Sequence, residues 1–181
     1  ETPMQEDEVR AAAELFKTRG LESVLVGFLF AFLNDTHEKR AVEIIKDVIP
    51  DAFVCASSEV VNVIREYERF SSTAMNAYIG PKTNLYLRRL ESRLHENGVS
   101  ATVRIMQSNG GISTLDQSVK RPIGVLLSGP AAGVIGGRWT GGHCDTGNVI
   151  TIDIGGTSAD ISVIQDGQLR TKNPRDTEVA G

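Results

Sequence analysis

The stretch from Ile150 to Leu169 constrains the fold more than any other part of this sequence. It contains an apolar run with one acid, Asp153, a turn of four small residues from Gly155 to Ser158, and a second alternating run that opens at Asp160. Alternation of apolar and polar residues is typical of strands, and Asp166-Gly167 is a strong hairpin signal. The pattern predicts a strand, a tight glycine turn, a second strand, a hairpin and a third strand.

The glycine turn indicates anion binding. Gly155-Gly156 lets backbone amides approach a phosphate closely, and consecutive amides form a positive nest. The hydroxyl groups of Thr157 and Ser158 can donate to phosphate oxygens. Asp153 and Asp160 would repel phosphate alone, so we expect Mg²⁺, which accepts one or two carboxylates and keeps several waters, to lie between them. The alternative is a glycine-rich hairpin with two solvated acids.

Composition describes a soluble globular protein. The chain has 181 residues, 40% of them hydrophobic, and a net charge of −4. Nothing in it favours nucleic acid, and no apolar run is long enough to span a membrane. Cys55 and Cys144 lie far apart without metal-ligand spacing, so we expect reduced thiols in a cytoplasmic protein, with a disulfide as the alternative. Because the sequence starts at Glu1 without methionine and ends at Gly181 without a closing element, we expect a fragment of a longer polypeptide.

The first hundred residues predict alternating helices and strands. A helix with an apolar face ends at Gly20, and the apolar run Leu21–Phe32 predicts a central strand buried on both faces. Asp35 and Glu38 predict a capping box that starts the next helix. A short strand follows at 52–56, and this order predicts an α/β domain.

A mostly helical segment is predicted from Val60 to Asn97, interrupted or kinked at Gly80-Pro81. Its charged segment Arg65–Arg69 predicts a solvated helix start. The alternative is that Arg65 or Arg69 faces a substrate or a partner domain.

Two further segments could contact a ligand. Gln107–Gly111 follows a predicted strand at 101–106, where ligands gather in open α/β sheets, although an ordinary turn fits equally well. Ser128 is a predicted N-cap, and the helix after it is rich in small residues up to Gly137. That helix either packs tightly or links two lobes that move over a nucleotide.

In this order and spacing, four motifs resemble the hydantoinase A / 5-oxoprolinase / acetone carboxylase family. They are Arg65–Arg69 with Asn76-Ala77-Tyr78, Gln107–Gly111, Ser128–Gly133 and Asp153–Asp160. The usual family form of the last has methionine in place of Ile154 and threonine in place of Ala159.

The resemblance implies an actin-like ATPase or sugar-kinase-like fold of two ribonuclease-H-like lobes. Residues 1–127 would end the first lobe, 128–140 would form the connecting helix, and 148–181 would open the second lobe with its phosphate-binding hairpin. It also implies ATP and Mg²⁺ in the full-length protein, with Asp153 catalytic, Asp153 and Asp160 at the metal, and the following residues at the nucleotide: Asn109, Gly110, Gly111, Ser128, Gly129, Gly155, Gly156, Thr157 and Ser158.

By resemblance, the full-length protein hydrolyses a cyclic amide such as a hydantoin or 5-oxoproline, or carboxylates a ketone, after phosphorylation of a carbonyl or enol oxygen. A second subunit or domain is the expected partner. We expect the isolated fragment to be inactive, because half of the nucleotide site lies outside it. Two alternatives are a carbohydrate-kinase-like phosphotransferase and a non-catalytic assembly domain.

Overall fold

Helices and strands alternate along the chain in the computed structural model, which describes residues 2–169. This arrangement confirms the predicted α/β class, whereas the ribonuclease-H-like topology stays a prediction. The helices are α1 (Glu6–Thr18), α2 (Thr36–Val48), α3 (Ser57–Val60), α4 (Glu66–Glu96), α5 (Leu115–Lys120) and α6 (Ser128–His143), with a 3₁₀ helix at Pro122–Val125. The strands are β1 (Ser23–Val26), β2 (Phe53–Ala56), β3 (Arg104–Met106), β4 (Ile112–Thr114), β5 (Val149–Ile154), β6 (Ala159–Gln165) and β7 (Gln168–Leu169). No helix within residues 2–169 is long and apolar enough to cross a membrane.

The chain forms two units. Among the described residues, unit 1 comprises 2–105 together with 113–125, and unit 2 comprises 106–112 together with 126–169. How these units correspond to the predicted lobes and connecting helix stays a prediction. The last twelve residues of the predicted second lobe, 170–181, lie outside the described residues.

Unit 1 is built around the parallel pair β1–β2, in which Ser23 lies opposite Phe53 and Val26 opposite Ala56. One core cluster joins β1 to α1 and α2, through the residues Ala13, Val24, Val26, Ala41, Ile45 and Val48. Helix α4 also packs on both strands. Its Gly80 lies so close to Phe53 that a Cβ there would come 2.5 Å from the ring, so the glycine permits this approach.

The predicted strand Leu21–Phe32 is wrong beyond Val26. Residues 27–35 form a loop in which Phe30 adopts a left-handed backbone conformation, with φ of 58°. Leu29 and Phe30 are 68% and 64% exposed. An apolar run predicts burial, but here it continues past the end of the strand onto the surface.

Helix α4 starts later than predicted and is not interrupted at Pro81, while the kink that was the other predicted outcome stays a prediction. It begins at Glu66 and continues through Pro81 to Glu96. A proline removes a single backbone hydrogen bond inside a helix, and contacts of α4 with β1, β2, α5 and the 3₁₀ helix hold both halves in place.

A polar cluster, Glu38, Ser57 and Arg69, is completely buried in unit 1. The Glu38 carboxylate accepts hydrogen bonds from the Phe28 amide (2.8 Å), the Ser57 hydroxyl (2.6 Å) and the Ser58 amide (2.9 Å). The predicted capping box is therefore wrong: Asp35 is the N-cap residue but its side chain makes no cap hydrogen bond.

Arg69 is the basic member of that cluster, and its predicted exposure is wrong. Its Nε donates to Ser57 Oγ (2.9 Å), and its Nη atoms donate to the carbonyl oxygens of Val63 (3.2 Å) and Phe28 (2.7 Å). The guanidinium carbon also lies 5.7 Å and 5.2 Å from the ring centroids of Phe32 and Phe70. Arg65, in contrast, is exposed, as predicted for the solvated start of the helix.

Candidate functional site

Strands β5, β6 and β7 form an antiparallel sheet in unit 2, which confirms the predicted order of strand, glycine turn, strand, hairpin and strand. Gly155 donates its amide hydrogen to the Ser158 carbonyl oxygen at 2.9 Å and closes the turn. The register places Asp153 directly opposite Asp160. The sheet therefore brings the two predicted metal ligands together at the end next to the turn.

Asp153 and Asp160 lie on the sheet face that packs against α6. Gly137 and Gly141 of this helix allow the approach, because a Cβ at Gly137 would overlap the Thr151 side chain and one at Gly141 would lie 2.6 Å from Val149. Ile164 on the same face is only 1% exposed. The prediction of a tightly packed helix is therefore confirmed only at Gly137 and Gly141, since Gly136 and Gly142 face open space.

The N-terminal part of α6 and the acidic end of the hairpin enclose a cleft of about 310 Å³. Both carboxylates line it. So do six residues that were not predicted as ligand contacts, namely Pro130, Gly133, Val134, Thr151, Ile152 and Ser162. Thr151 and Ser162 carry hydroxyl groups and lie two positions from Asp153 and Asp160 on the same strands. Because side chains two positions apart lie on the same face of a strand, both residues could have been predicted from the sequence.

The four turn residues Gly155 to Ser158 are exposed and lie between the two acids in sequence, one strand pair beyond them. Neither glycine has a positive φ, and a Cβ at Gly156 would meet nothing within 4 Å. A Cβ at Gly155 would make only an ordinary contact, 3.5 Å from Ser158 O. Within the described residues, neither backbone strain nor packing explains the two glycines.

Ser128 is the first residue of α6 and not the predicted N-cap. The N-cap is Leu127, with φ of 58° and no side-chain hydrogen bond to the helix. Gly129 has open space where a Cβ would project. Both residues lie on α6 ahead of Pro130 and Gly133, which line the cleft, and their contact with nucleotide stays a prediction.

The segment 107–111 forms a closed turn after β3, which begins at Arg104 and not at the predicted Ala101. Gly111 donates its amide hydrogen to Asn109 Oδ1 at 2.8 Å, so the asparagine side chain serves the turn itself. Gly110 has φ of 82°, and a Cβ there would lie 2.8 Å from Ile135 Cδ1 of α6. The turn interpretation accounts for Asn109 and Gly110, and nucleotide binding by Asn109, Gly110 and Gly111 stays a prediction.

The acidic pair has the chemistry of a partial metal site. Like charges directly opposite each other in a sheet are destabilising, and a cation between the two carboxylates would offset their repulsion. The described residues contain no group of three or more His, Cys, Asp or Glu side chains that could hold a metal ion. Two carboxylates fit Mg²⁺, which takes its other ligands from water and phosphate.

Comparison with known proteins identifies the family. Residues 69–181 match the Hydantoinase/oxoprolinase family, and residues 1–49 match its N-terminal region. The chain belongs to the hydantoinase/oxoprolinase family. This confirms the resemblance seen in the sequence motifs.

Relatives and solved structures agree with this assignment. The chain is 34% identical to caprolactamase subunit alpha of Pseudomonas jessenii, over 98% of its own length and 25% of the relative. The structure of the ATP-dependent caprolactamase from Pseudomonas jessenii superposes with a TM-score of 0.78 at 35% identity, over 90% of this chain and 23% of that one. The structure of a nucleotide-free acetone carboxylase superposes with a TM-score of 0.79 at 27% identity, over 92% of this chain and 24% of that one. This member of the hydantoinase/oxoprolinase family thus spans about a quarter of the length of these relatives.

Proposed function

We propose that this chain supplies a phosphate-binding hairpin to an ATP-dependent enzyme that hydrolyses a cyclic amide. The observation that carries the proposal is the pairing of Asp153 with Asp160 in the lining of a cleft, near a glycine turn. Similarity to the ATP-dependent caprolactamase, at 35% identity, favours amide hydrolysis over the carboxylation named for the acetone carboxylase relative, at 27%.

Asp153 and Asp160 would hold Mg²⁺ or its waters, and the bound cation would neutralise phosphate charge. The backbone amides of Gly155 and Gly156 and the hydroxyl of Thr157 would donate to phosphate oxygens. The open space beside Gly156 supports phosphate binding by the turn, because a side chain at this position would occupy the space that a phosphate needs. Phosphoryl transfer depends mainly on positioning and charge neutralisation, so these groups suffice for this chain's share of the chemistry.

The organic substrate would then be activated by phosphorylation of its amide carbonyl oxygen, which makes the carbonyl carbon a better target for water. A caprolactamase relative is named as a subunit, so we include a second subunit in the proposed enzyme. Half of the nucleotide site would lie outside the 181 residues, so isothermal calorimetry on this chain alone should give weak or no binding of Mg²⁺-ATP. Micromolar affinity there would contradict that division of the site.

Replacement of Asp153 by asparagine in the full-length protein tests the site. The amide keeps the shape but removes the charge, and we expect ATP turnover to fall by about 10²–10³-fold, the range for losing one electrostatic contact to a transition state. Asp166→Asn is the matched control, because Asp166 is an exposed acid in the same sheet, in the β6–β7 turn. Parental turnover by the Asp153→Asn protein at saturating Mg²⁺ would remove Asp153 from the site.

The substrate class needs a separate assay. ATP hydrolysis by the full-length protein should rise on addition of a lactam, a hydantoin or 5-oxoproline. Stimulation by a ketone with bicarbonate would indicate the carboxylase activity instead. Stimulation by sugars alone would support the carbohydrate-kinase alternative, which the family match disfavours.

A further inference from the structure

Unit 1 contains a cavity of about 1150 Å³ along β2. Residues 51–55 line it, together with Val42 and Lys46 of α2 and Pro81 and Leu85 of α4. Clefts that bind small organic molecules typically measure about 300–1000 Å³, so this cavity has room for one. All of its lining residues belong to unit 1, and it shares none of them with the acidic cleft of unit 2.

The lining carries equal numbers of acidic and basic side chains. There are three of each sign, namely Glu22, Lys46, Asp51, Glu59, Lys120 and Arg121. None of these six side chains forms a salt bridge within residues 2–169. Their charges are therefore available to a ligand, and their balance favours a ligand without net charge over a strongly anionic one such as a nucleotide.

The end of the cavity near the end of β2 is basic. Asn76 of α4 donates a hydrogen bond from Nδ2 to the Lys120 carbonyl oxygen at 3.4 Å. The next residue of the helix, Ala77, belongs to the same core cluster as Cys55 of β2. Lys120 and its neighbour Arg121 therefore lie at this end, where they suit a carboxylate.

The opposite end, at the start of β2, is acidic. Asp51 precedes the strand, and Glu22 lies beside it because the Phe53 amide donates to the Glu22 carbonyl oxygen at 2.9 Å. Gly80 of α4 approaches Phe53, so the helix runs antiparallel to β2 and Asn84, one turn further on, lies toward this end. Asn84 lines the cavity, and its Oδ1 is buried without a hydrogen-bond partner in the described residues. Buried polar atoms are normally paired, and an ammonium group would supply the donor.

We propose that this cavity binds an ω-amino acid, with its ammonium group at Glu22, Asp51 and Asn84 and its carboxylate at Lys120 and Arg121. Even if Lys46 and Glu59 offset one charge at each end, one acidic and one basic charge remain. The ends are separated by about the length of β2, four residues or roughly 13 Å, which the long lining side chains shorten to the span of a chain of several methylenes.

Apolar side chains are available for that methylene chain, because Val42, Ile49, Val60, Leu85 and Val119 also line the cavity. The choice of an ω-amino acid rests on the proposed function, since hydrolysis of the amide bond of a lactam ring releases one. A short peptide has the same charged ends, so the experiment includes both ligands.

Calorimetric titration of the full-length protein with 6-aminohexanoate tests the proposal. We expect 6-aminohexanoate to bind, and we expect hexanoate and hexylamine, which each lack one charged group, to bind at least about tenfold more weakly. Equal affinities for the three molecules, or no binding of 6-aminohexanoate, would overturn the proposal. Tighter binding of trialanine than of 6-aminohexanoate would assign the cavity to peptides and also overturn it.

Variants locate the bound molecule. Glu22→Gln and Arg121→Gln replace exposed side chains, so both proteins should fold, and each should bind 6-aminohexanoate at least about tenfold more weakly. Arg89→Gln is the matched control, because Arg89 is an exposed arginine of α4 outside the lining, and its affinity should stay at the parental value. Parental affinity in both cavity variants would place the ligand elsewhere and overturn the proposal.

The Asp153→Asn protein separates this proposal from the proposed function. Asp153 belongs to unit 2 and does not line the cavity, so we expect its replacement to leave the affinity for 6-aminohexanoate unchanged. Loss of binding in this protein would place the amino acid at the proposed catalytic site and overturn the proposal. Because the titration contains no ATP and measures no turnover, a failure of the proposed function at Asp153 would not alter its outcome.

Discussion

Replacement of Arg69 by methionine should strongly destabilise unit 1. Methionine keeps the unbranched aliphatic stem but removes the three donating nitrogens, which leaves Ser57 Oγ and the carbonyl oxygens of Phe28 and Val63 without this partner. Loss of one member of a buried charged group typically lowers the free energy of unfolding by about 3–5 kcal/mol. Glu38 retains the backbone amides of Phe28 and Ser58 as donors, so we expect a value near 3 kcal/mol, the lower end of that range.

Urea unfolding followed by circular dichroism is the appropriate assay. At a slope of about 2 kcal/mol per molar urea, a loss near 3 kcal/mol moves the midpoint down by about 1.5 M. Fluorescence of Trp139, the only tryptophan, reports on unit 2 and not on unit 1. Circular dichroism is therefore needed, because six of the seven helical segments within residues 2–169 lie in unit 1.

Arg65→Met is the matched control, since Arg65 is the other arginine of the same motif. Its side chain is 68% exposed, and its contact with Glu68 is 3.8 Å long. Exposed pairs of this kind contribute about 0–1 kcal/mol, so the midpoint should stay almost unchanged. If the free energy of unfolding of the Arg69→Met protein lies within about 1 kcal/mol of the parent value, the buried hydrogen bonds of Arg69 do not hold unit 1 together.

Two further predictions concern packing and thiol chemistry. Gly137→Ala should lower the free energy of unfolding of unit 2 by about 1–3 kcal/mol because its Cβ would overlap Thr151, whereas Gly136→Ala, where the space is open, should raise it by about 0.4–1 kcal/mol. Trp139 fluorescence in urea measures both, and equal effects would contradict the close approach of α6 to β5. Burial raises the pKa of the Cys55 thiol to about 11, while Cys144 is exposed. A thiol reagent at pH 8 should therefore modify Cys144 quickly and Cys55 only on unfolding. Because the pKa of Cys55 is higher in the folded than in the unfolded protein, its contribution to stability is fully present below the ordinary thiol pKa and falls as pH rises toward 11. A Cys55→Ala protein should not lose stability in this way at alkaline pH.

The hairpin was predictable because its signal is local. Alternation sets the faces of β5 and β6, Asp166-Gly167 sets the second turn, and the register that pairs Asp153 with Asp160 follows from the four-residue turn between the strands. Prediction of the cleft against α6 would also have required knowing which glycines of that helix contact the sheet. Gly137 and Gly141 contact the sheet, whereas Gly133 and Gly136 face open space, and composition alone does not distinguish them.

Unit 1 was less predictable because its decisive contacts are distant in sequence. Arg69 reaches the Phe28 carbonyl oxygen, 41 positions away, and Glu38 reaches Ser57, 19 positions away. Local patterns assign both charged residues to the surface, as charged residues usually are. The apolar run after Val26 fails for the converse reason, since Leu29 and Phe30 lie in a loop whose shape is set by Arg69 and Glu38.

The Glu38, Ser57 and Arg69 cluster also limits how this sequence can change. Removal of one member exposes the others to the full penalty of burial, whereas a well-packed apolar replacement of all three can be neutral. A change from the polar cluster to an apolar one through single substitutions would therefore pass through sequences that fold poorly. We therefore expect Glu38, Ser57 and Arg69 to be replaced together or not at all.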